Sequence, residues 1–223
     1  MATEHSPILN VTDLKVEFNQ QTILENVSFQ VQKGEVMAIV GPNGAGKSTL
    51  FRALLGLVPY SGTIVWSSDI RVGYVPQKLM LERDIPLTVH EFLKLKDPSD
   101  KNIRAALKDV GIHEHILDHS LGVISGGELQ RIMIAWALLG SPNVLLFDEP
   151  TAGIDISGEE TIYNLLQKLH DSHDLTVLLI SHDMNVVTQY TNNVLCLDRQ
   201  MTCFGETKAM LHSQKYFHHQ HEH

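Results

Sequence analysis

The apolar residues of this chain follow three patterns: alternation with polar residues, short continuous runs and helical repeats. Alternation, though imperfect, predicts strands at 8–18 and 22–32. Short runs predict strands at 35–41, 63–67, 71–75, 144–147, 177–180 and 194–197. The helical repeats predict helices at 47–56, 89–95, 102–110 and 128–139. A polar turn at 19–21 joins the first two strands as an antiparallel pair. The chain therefore reads as an α/β core that a helical stretch interrupts.

These patterns also predict how the chain is divided. We expect a single domain whose α/β core comprises 1–78 and 141–212, with the antiparallel β subdomain at its N-terminus. The helical subdomain is expected at 79–140, and a histidine-rich tail follows at 213–223.

A glycine-rich loop lies between the strand at 35–41 and the helix at 47–56. It fits G-x-x-x-x-G-K-[ST], and its residues are Gly41-Pro42-Asn43-Gly44-Ala45-Gly46-Lys47-Ser48-Thr49. Glycines let successive N–H groups surround phosphate oxygens, and the helix N-terminus adds a positive dipole end. We expect Lys47 to reach the β- and γ-phosphates and Ser48 to hold Mg²⁺. An ordinary glycine turn is the alternative, but the strand–loop–helix context favours a nucleotide site.

Polar residues follow two further apolar runs. In doubly wound sheets ligands bind beyond the carboxyl ends of the strands, so these residues are expected near the same phosphate site. We expect Asp148 to bind Mg²⁺ through water and Glu149 to act as general base on the attacking water. His182 is expected to hydrogen-bond the γ-phosphate. The alternatives are an ordinary acidic turn at 148–150 and a surface or capping histidine at 182.

Two other positions have open interpretations. Gln77 follows the strand at 71–75 and could contact Mg²⁺ or water and report the nucleotide state to the helical stretch, or be a solvated loop amide. Phe18 ends the first strand and could stack on adenine, or pack in the core or a turn.

The helix at 128–139 begins with the sequence Ser125-Gly126-Gly127-Glu128, which fits a capping box. The pairs Thr88/Glu91 and Ser157/Glu160 fit the same box, so capping alone says nothing about nucleotides. This box differs from the other two in its pair of glycines, which leave the helix N-terminus bare enough for a phosphate to approach. Since one chain hardly needs two phosphate cradles for one nucleotide, we expect a symmetric dimer that uses both.

Composition narrows the possible partners and compartment. The chain has 223 residues, 43% of them hydrophobic, and a formal charge of −9, which argues against nucleic acid as partner. Its two cysteines, Cys196 and Cys203, lack metal-ligand spacing, and we expect reduced, small buried side chains in a cytosolic protein. Residues 1–7 lack the features of a signal peptide, and no apolar run would span a bilayer.

Together these motifs resemble the ATP-binding subunit of ABC transporters over residues 8–212. The resemblance implies a P-loop NTPase core with a mostly parallel sheet, an N-terminal antiparallel β subdomain and an inserted helical subdomain. It also implies ATP and Mg²⁺ as ligands, and ATP hydrolysis. It identifies the Walker A loop at 41–49, the Walker B strand ending at Asp148, the catalytic Glu149, the Q-loop Gln77 and the switch His182. The signature loop matches 124–128, the D-loop matches 152–155 with Asp155, and Phe18 matches the adenine-stacking aromatic. Ile124, Glu128 and Trp136 depart from the usual residues.

The resemblance also implies partners. The family works as a head-to-tail dimer with ATP at its interface, coupled to membrane permease subunits. The stretches 73–78 and 85–89, with the two cysteine-containing segments, resemble zinc- and manganese-type importers. By this resemblance we expect a peripheral ATPase that powers import of a divalent metal, zinc, from the cytoplasmic face of a bacterial inner membrane, served by a periplasmic or extracellular metal-binding protein. The alternatives are manganese or iron import, or a soluble ABC ATPase acting on nucleic acid or the ribosome.

Histidines offer a further candidate for metal binding. The last six residues include His218, His219, His221 and His223, which could bind Zn²⁺ or be inert. His115 and His119 are four residues apart, but the sequence assures neither a helix nor a third ligand there.

Overall fold

A computed structural model describes residues 7–77, 86–150 and 156–212. Its strands are β1 (Pro7–Phe18), β2 (Gln21–Gln32), β3 (Val36–Val40), β4 (Ser61–Trp66), β5 (Val72–Val75), β6 (Val144–Asp148), β7 (Thr176–Ile180), β8 (Asn193–Asp198) and β9 (Gln200–Glu206). Its helices are α1 (Lys47–Leu54), α2 (Val89–Lys94), α3 (Asp100–Asp109), α4 (Gly126–Leu138), α5 (Ile156–His173), α6 (Met184–Tyr190) and α7 (Thr207–His212). The described residues of Met1–Ser68 and Val177–His223 form one compact unit, and those of Asp69–Thr176 form another.

The first unit contains an antiparallel sheet in the order β2-β1-β4. A two-residue turn joins β1 to β2, and both turn residues, Asn19 and Gln20, have positive φ (48° and 65°), as a hairpin that follows the strand twist requires. The expected antiparallel pair is therefore confirmed. Register shifts along β1 explain why its alternation of apolar and polar residues is imperfect, since each bulge moves the following side chains to the other face.

The first unit also contains the parallel strands that were expected in the core. β3 lies between β7 and β8 and is parallel to both, while β9 pairs antiparallel with β8. All five residues of β3 and of β7 are buried, as in parallel strands covered on both faces. Val187 of α6 packs on this sheet in a cluster with Ala38, Val40 and Val194. The α/β fold is thus confirmed.

The second unit pairs β5 with β6 in parallel, with Val75 opposite Phe147. The expected helices α2, α3 and α4 lie between these strands in the sequence, and α4 packs against β5 and α3. Trp136 of α4 stacks on Phe92 of α2 with 4.3 Å between ring centroids, which accounts for the unusual tryptophan at this position. The division into a core and a helical subdomain at 79–140 stays a prediction.

Two of the three expected capping boxes are present. Thr88 caps α2 with Glu91, and Ser125 caps α4 with Glu128. The third expectation was wrong, because α5 begins at Ile156 and Ser157 therefore lies inside the helix.

The cysteines differ from the prediction. Cys196 and Cys203 form a disulfide between facing positions of β8 and β9 and are half-buried, so reduced, buried side chains were the wrong expectation. The reason is β9, an alternating strand that the sequence patterns did not reveal.

None of the helices in the described ranges is both long and apolar enough to cross a membrane.

Candidate functional site

The glycine-rich loop of the first unit leaves β3 and enters α1 directly. Gly46 caps α1 in a left-handed conformation (φ 96°), and the Leu50 amide donates to its carbonyl at 2.8 Å. The first turn has Lys47 and no acidic residue, so its N–H groups meet no competing negative charge from that turn. Pro42, Asn43 and Gly44 are exposed. The helix start is thus suited to receive an anion.

Lys47 is nearly buried, with 6% of its surface exposed. Its Nζ donates to the carbonyl oxygens of Gly41 and Pro42, both at 2.9 Å. A buried ammonium is stable only with such partners. The Lys47 ammonium therefore lies against the backbone of the loop, and a bound phosphate could accept its hydrogen bonds in place of the two carbonyl oxygens. Ser48 and Thr49 follow on the first turn of α1 and are half-buried.

Close packing fixes the shape of this loop. A Cβ on Gly41 would lie 2.0 Å from the Leu197 carbonyl oxygen, and one on Gly46 would lie 2.5 Å from Leu24 Cδ2. The Arg199 amide donates to the Ala45 carbonyl at 3.0 Å. The turn between β8 and β9 therefore supports the loop, a role that the sequence did not indicate because β9 was not predicted.

His182 leaves the sheet at the same edge as the loop. β7 runs parallel beside β3 with Ile180 opposite Ile39, and the Ser181 amide donates to the Ile39 carbonyl at 3.4 Å. His182 is exposed at this edge, directly before Asp183, which caps α6. The structure therefore brings His182 and the phosphate loop to one end of one sheet, while its contact with a γ-phosphate stays a prediction.

Phe18 lies at the end of β1, and 38% of its surface is exposed. This exposure disfavours the core-packing alternative and leaves a ring face on which a base could stack. Adenine stacking stays a prediction.

The second unit brings together the predicted carboxylates and glutamine. Asp148 ends β6 and is 3% exposed, and the Tyr74 hydroxyl donates to its Oδ2 at 3.3 Å. Because β5 and β6 are parallel and end together, Gln77 reaches Glu149 and donates its Nε2 hydrogen to Glu149 Oε2. Neither contact was predicted. Glu149 has a positive φ of 49°, a strained conformation of the kind that concentrates at functional sites.

The Ser125-Gly126-Gly127-Glu128 segment starts α4 in the same unit. The Glu128 amide donates to Ser125 Oγ at 3.2 Å, and Glu128 Oε2 accepts from the Ser125 amide at 2.9 Å. Hydrogen bonds from the Ser125 hydroxyl and then its amide lower the pKa of Glu128, so this carboxylate is ionised at neutral pH. A Cβ on Gly126 or Gly127 would meet nothing within 4 Å. The space beside this helix end is open, as an approaching ligand would require.

The remaining predicted residues are Asp155 and the candidate metal-binding histidines. Asp155 and the histidines of the tail lie outside the described residues. The rings of His115 and His119 are 5.8 Å apart, with His113 next to His115 at 6.1 Å. Even so, the described ranges hold no group of three or more histidine, cysteine or acidic side chains arranged for a metal ion.

Comparisons with known proteins agree with this chemistry. The family model described as "ABC transporter" matches residues 24–152. A zinc import ATP-binding protein ZnuC from Pseudomonas savastanoi pv. phaseolicola is 38% identical, over 97% of this chain and 87% of that protein. One from Pseudomonas fluorescens is 41% identical, over 91% and 78%.

A solved structure is similar as well. The structure of cbiO1 from Clostridium perfringens, part of the ABC transporter complex cbiONQ, covers 92% of this chain and 91% of its own, with 29% identity and a TM-score of 0.79. Because the family model covers more than half of the chain and both relatives exceed 30% identity, this chain belongs to the ABC transporter family.

Proposed function

We propose that this chain is the ATP-binding and hydrolysing subunit that powers zinc import through an ABC transporter. The observation that carries ATP binding is the phosphate loop, where a buried Lys47 is held at the N-terminus of α1 by the carbonyls of Gly41 and Pro42. Zinc as cargo rests on relatives that are named zinc import proteins at 38% and 41% identity. The family's cofactors are ATP and Mg²⁺.

In the proposed mechanism the phosphate loop binds and orients the triphosphate through its N–H groups and Lys47. Ser48 and Asp148 would hold Mg²⁺, Asp148 through water, and the ion would neutralise charge on the β- and γ-phosphates. The donor set fits, because a hydroxyl and a carboxylate are the oxygen ligands that Mg²⁺ prefers. His182 would hydrogen-bond the γ-phosphate.

Glu149 would act as the general base that takes a proton from the attacking water. Its hydrogen bond with Gln77 means that a displacement of Gln77 changes the hydrogen bonding of the base directly. This contact supports Gln77 as the residue that relays nucleotide state to the helical segment that follows it.

A second copy of the chain would complete each ATP site. The open space at Gly126 and Gly127 supports an approach of the partner's nucleotide to the start of α4. Asp155 would lie near this interface by the family resemblance. The assembly would sit on the cytoplasmic face of a bacterial inner membrane, bound to permease subunits that receive metal from a binding protein outside. The expectation that nucleic acid is not a partner is supported by the charge of −9.

The test is transport by the reconstituted complex. The chain, purified with its membrane permease in proteoliposomes, should take up Zn²⁺ only when MgATP is supplied on the side of the ATPase. Mn²⁺ and Fe²⁺, assayed in parallel, should be taken up more slowly. Uptake of Mn²⁺ or Fe²⁺ in preference to Zn²⁺ would contradict the cargo, and purification with ribosomes or nucleic acid instead of a permease would contradict transport.

A further inference from the structure

The disulfide between β8 and β9 lies close to the phosphate loop. We propose that the Cys196–Cys203 pair is a thiol–disulfide switch for that loop, so that ATP binds more tightly when the disulfide is closed than when it is open. The inference rests on the proposed role of the loop in ATP binding and concerns the regulation of the same site.

The two cysteines are placed for reversible pairing. They face each other in the β8–β9 register, and their Cα atoms are 4.8 Å apart, within the range that disulfides span without backbone movement. Both are half-buried, which leaves a path for a small thiol. The pair can therefore open and close while the two strands stay together.

The end of the hairpin beyond the disulfide contacts the phosphate loop. Leu197 directly follows Cys196, and its carbonyl oxygen occupies the space that a side chain on Gly41 would need. Two residues later, the Arg199 amide donates to the Ala45 carbonyl at 3.0 Å, and the Arg199 carbonyl accepts from the Glu25 amide at 2.8 Å. The hairpin end therefore links the loop to β2.

This hairpin end has irregular backbone geometry, so a covalent link next to it restricts its motion. The register shifts between Cys196 and Leu197, and Arg199 in the turn has a positive φ of 59°. The disulfide limits the motion of this segment. When it opens, the turn and the loop attached to it gain freedom that ATP binding must remove, which weakens the affinity.

The chemistry needs only a low-molecular-weight thiol and its disulfide. In closure, the thiolate of one cysteine attacks the external disulfide, forms a mixed disulfide and expels one thiolate. The second cysteine then attacks the mixed disulfide and expels the other. The pair loses two electrons and two protons, and the external disulfide becomes two thiols. Opening is the reverse exchange with two thiols.

The test compares MgATP affinity in the two redox forms of the full chain. We expect the protein reduced with dithiothreitol to bind MgATP about fivefold more weakly than the oxidised protein. The variant Cys196→Ser/Cys203→Ser should bind MgATP with the affinity of the reduced form, and dithiothreitol should not change that affinity. Mass spectrometry after alkylation establishes the redox form of each sample. Since coupling is reciprocal, MgATP should shift the thiol–disulfide equilibrium toward the disulfide by the same factor.

A local readout separates this coupling from general destabilisation. Reduction should speed hydrogen exchange at the Arg199 amide and leave amides of the β5–β6 pair unchanged, so faster exchange throughout would contradict a local switch.

Equal MgATP affinity in both forms, tighter binding by the reduced form, or two free thiols under oxidising conditions would also overturn the proposal. If Lys47→Ala weakens binding while reduction has no effect, the switch alone fails. If Lys47→Ala leaves the affinity unchanged, the phosphate-loop assignment fails.

Discussion

At the scale of single residues, Lys47 combines burial with a full charge. Water cannot stabilise an ammonium that is 6% exposed, so the carbonyls of Gly41 and Pro42 do so at 2.9 Å. A bound phosphate would offer stronger, charge-assisted hydrogen bonds in their place. The same geometry that stabilises the lysine therefore positions it for an anionic ligand.

The variant Lys47→Ala tests this role. Removing the ammonium should raise the Kd for MgATP about tenfold or more, because a lost hydrogen bond to a charged group costs roughly 1.5–3 kcal/mol. Calorimetric titration of MgATP measures the change. The matched control is Lys208→Ala, which removes an exposed lysine of α7 in the same unit and should leave Kd unchanged. Equal Kd values for the two variants would contradict the assignment.

Glu128 makes a pH-dependent contribution at this scale. The Ser125 hydroxyl and amide lower its pKa in the folded protein, so its contribution to stability is present above the unfolded pKa and is lost as the pH falls through the folded value. We expect Glu128→Gln to be less stable than the parent at neutral pH, with the difference shrinking below about pH 4. Urea unfolding of both proteins across this range measures it, and a difference independent of pH would contradict the ionised capping box.

At the scale of elements, the described residues include two capping boxes with the same hydrogen bonds and different neighbours. Thr88 and Glu91 start α2, and Ser125 and Glu128 start α4, where two glycines lie between the partners and the space beside them is open. A cap stabilises its helix in both cases. A role in ATP hydrolysis is proposed for the second alone.

The paired variants Ser125→Ala and Thr88→Ala separate these roles. Each should lower the free energy of unfolding by about 1 kcal/mol, because each removes the side-chain acceptor of an N-cap. ATPase activity should fall steeply in Ser125→Ala and stay close to the parent in Thr88→Ala. Unfolding curves and steady-state ATPase assays on the same preparations provide both numbers. Equal loss of activity would mean that the α4 start acts through helix stability and not through phosphate.

The sequence predicted the buried parallel strands but not the edge strand β9. β3, β6 and β7 are continuous apolar runs because parallel strands are buried on both faces, and such runs are visible without a structure. β9 alternates half-buried and exposed residues beside a single neighbour, a weaker pattern that was missed. The disulfide was missed with it, since two cysteines seven positions apart face each other only once the β8–β9 register is known.

For the candidate site, too, the sequence predicted individual residues but not the contacts between neighbouring strands. The phosphate loop, Asp148, Glu149 and Gln77 were predicted from motifs and from their positions after apolar runs. The hydrogen bonds from Gln77 to Glu149 and from Tyr74 to Asp148 were not, because they depend on β5 and β6 being adjacent and ending together. Local patterns therefore predict candidate site residues, while contacts across strands require the sheet topology.

At the scale of the whole molecule, we propose that this ABC family member hydrolyses ATP as a dimer of identical chains. Each unit carries part of the proposed machinery: the phosphate loop and His182 in the first, and Glu149, Gln77 and the start of α4 in the second. In the proposed dimer, ATP binding joins two chains and hydrolysis by Glu149 separates them. The base can be removed without altering the phosphate loop, so hydrolysis can be separated from ATP binding.

The most direct measurement is MgATP turnover by Glu149→Gln, with dimerisation followed by sedimentation in the same samples. We expect turnover to fall at least about 100-fold, because a general base contributes roughly that much or more, while MgATP affinity is retained and a nucleotide-bound dimer accumulates. Glu206→Gln, which alters an exposed carboxylate of β9, should behave as the parent. Turnover by Glu149→Gln at the parent rate would contradict Glu149 as the general base, and a monomer at saturating MgATP would contradict the dimer.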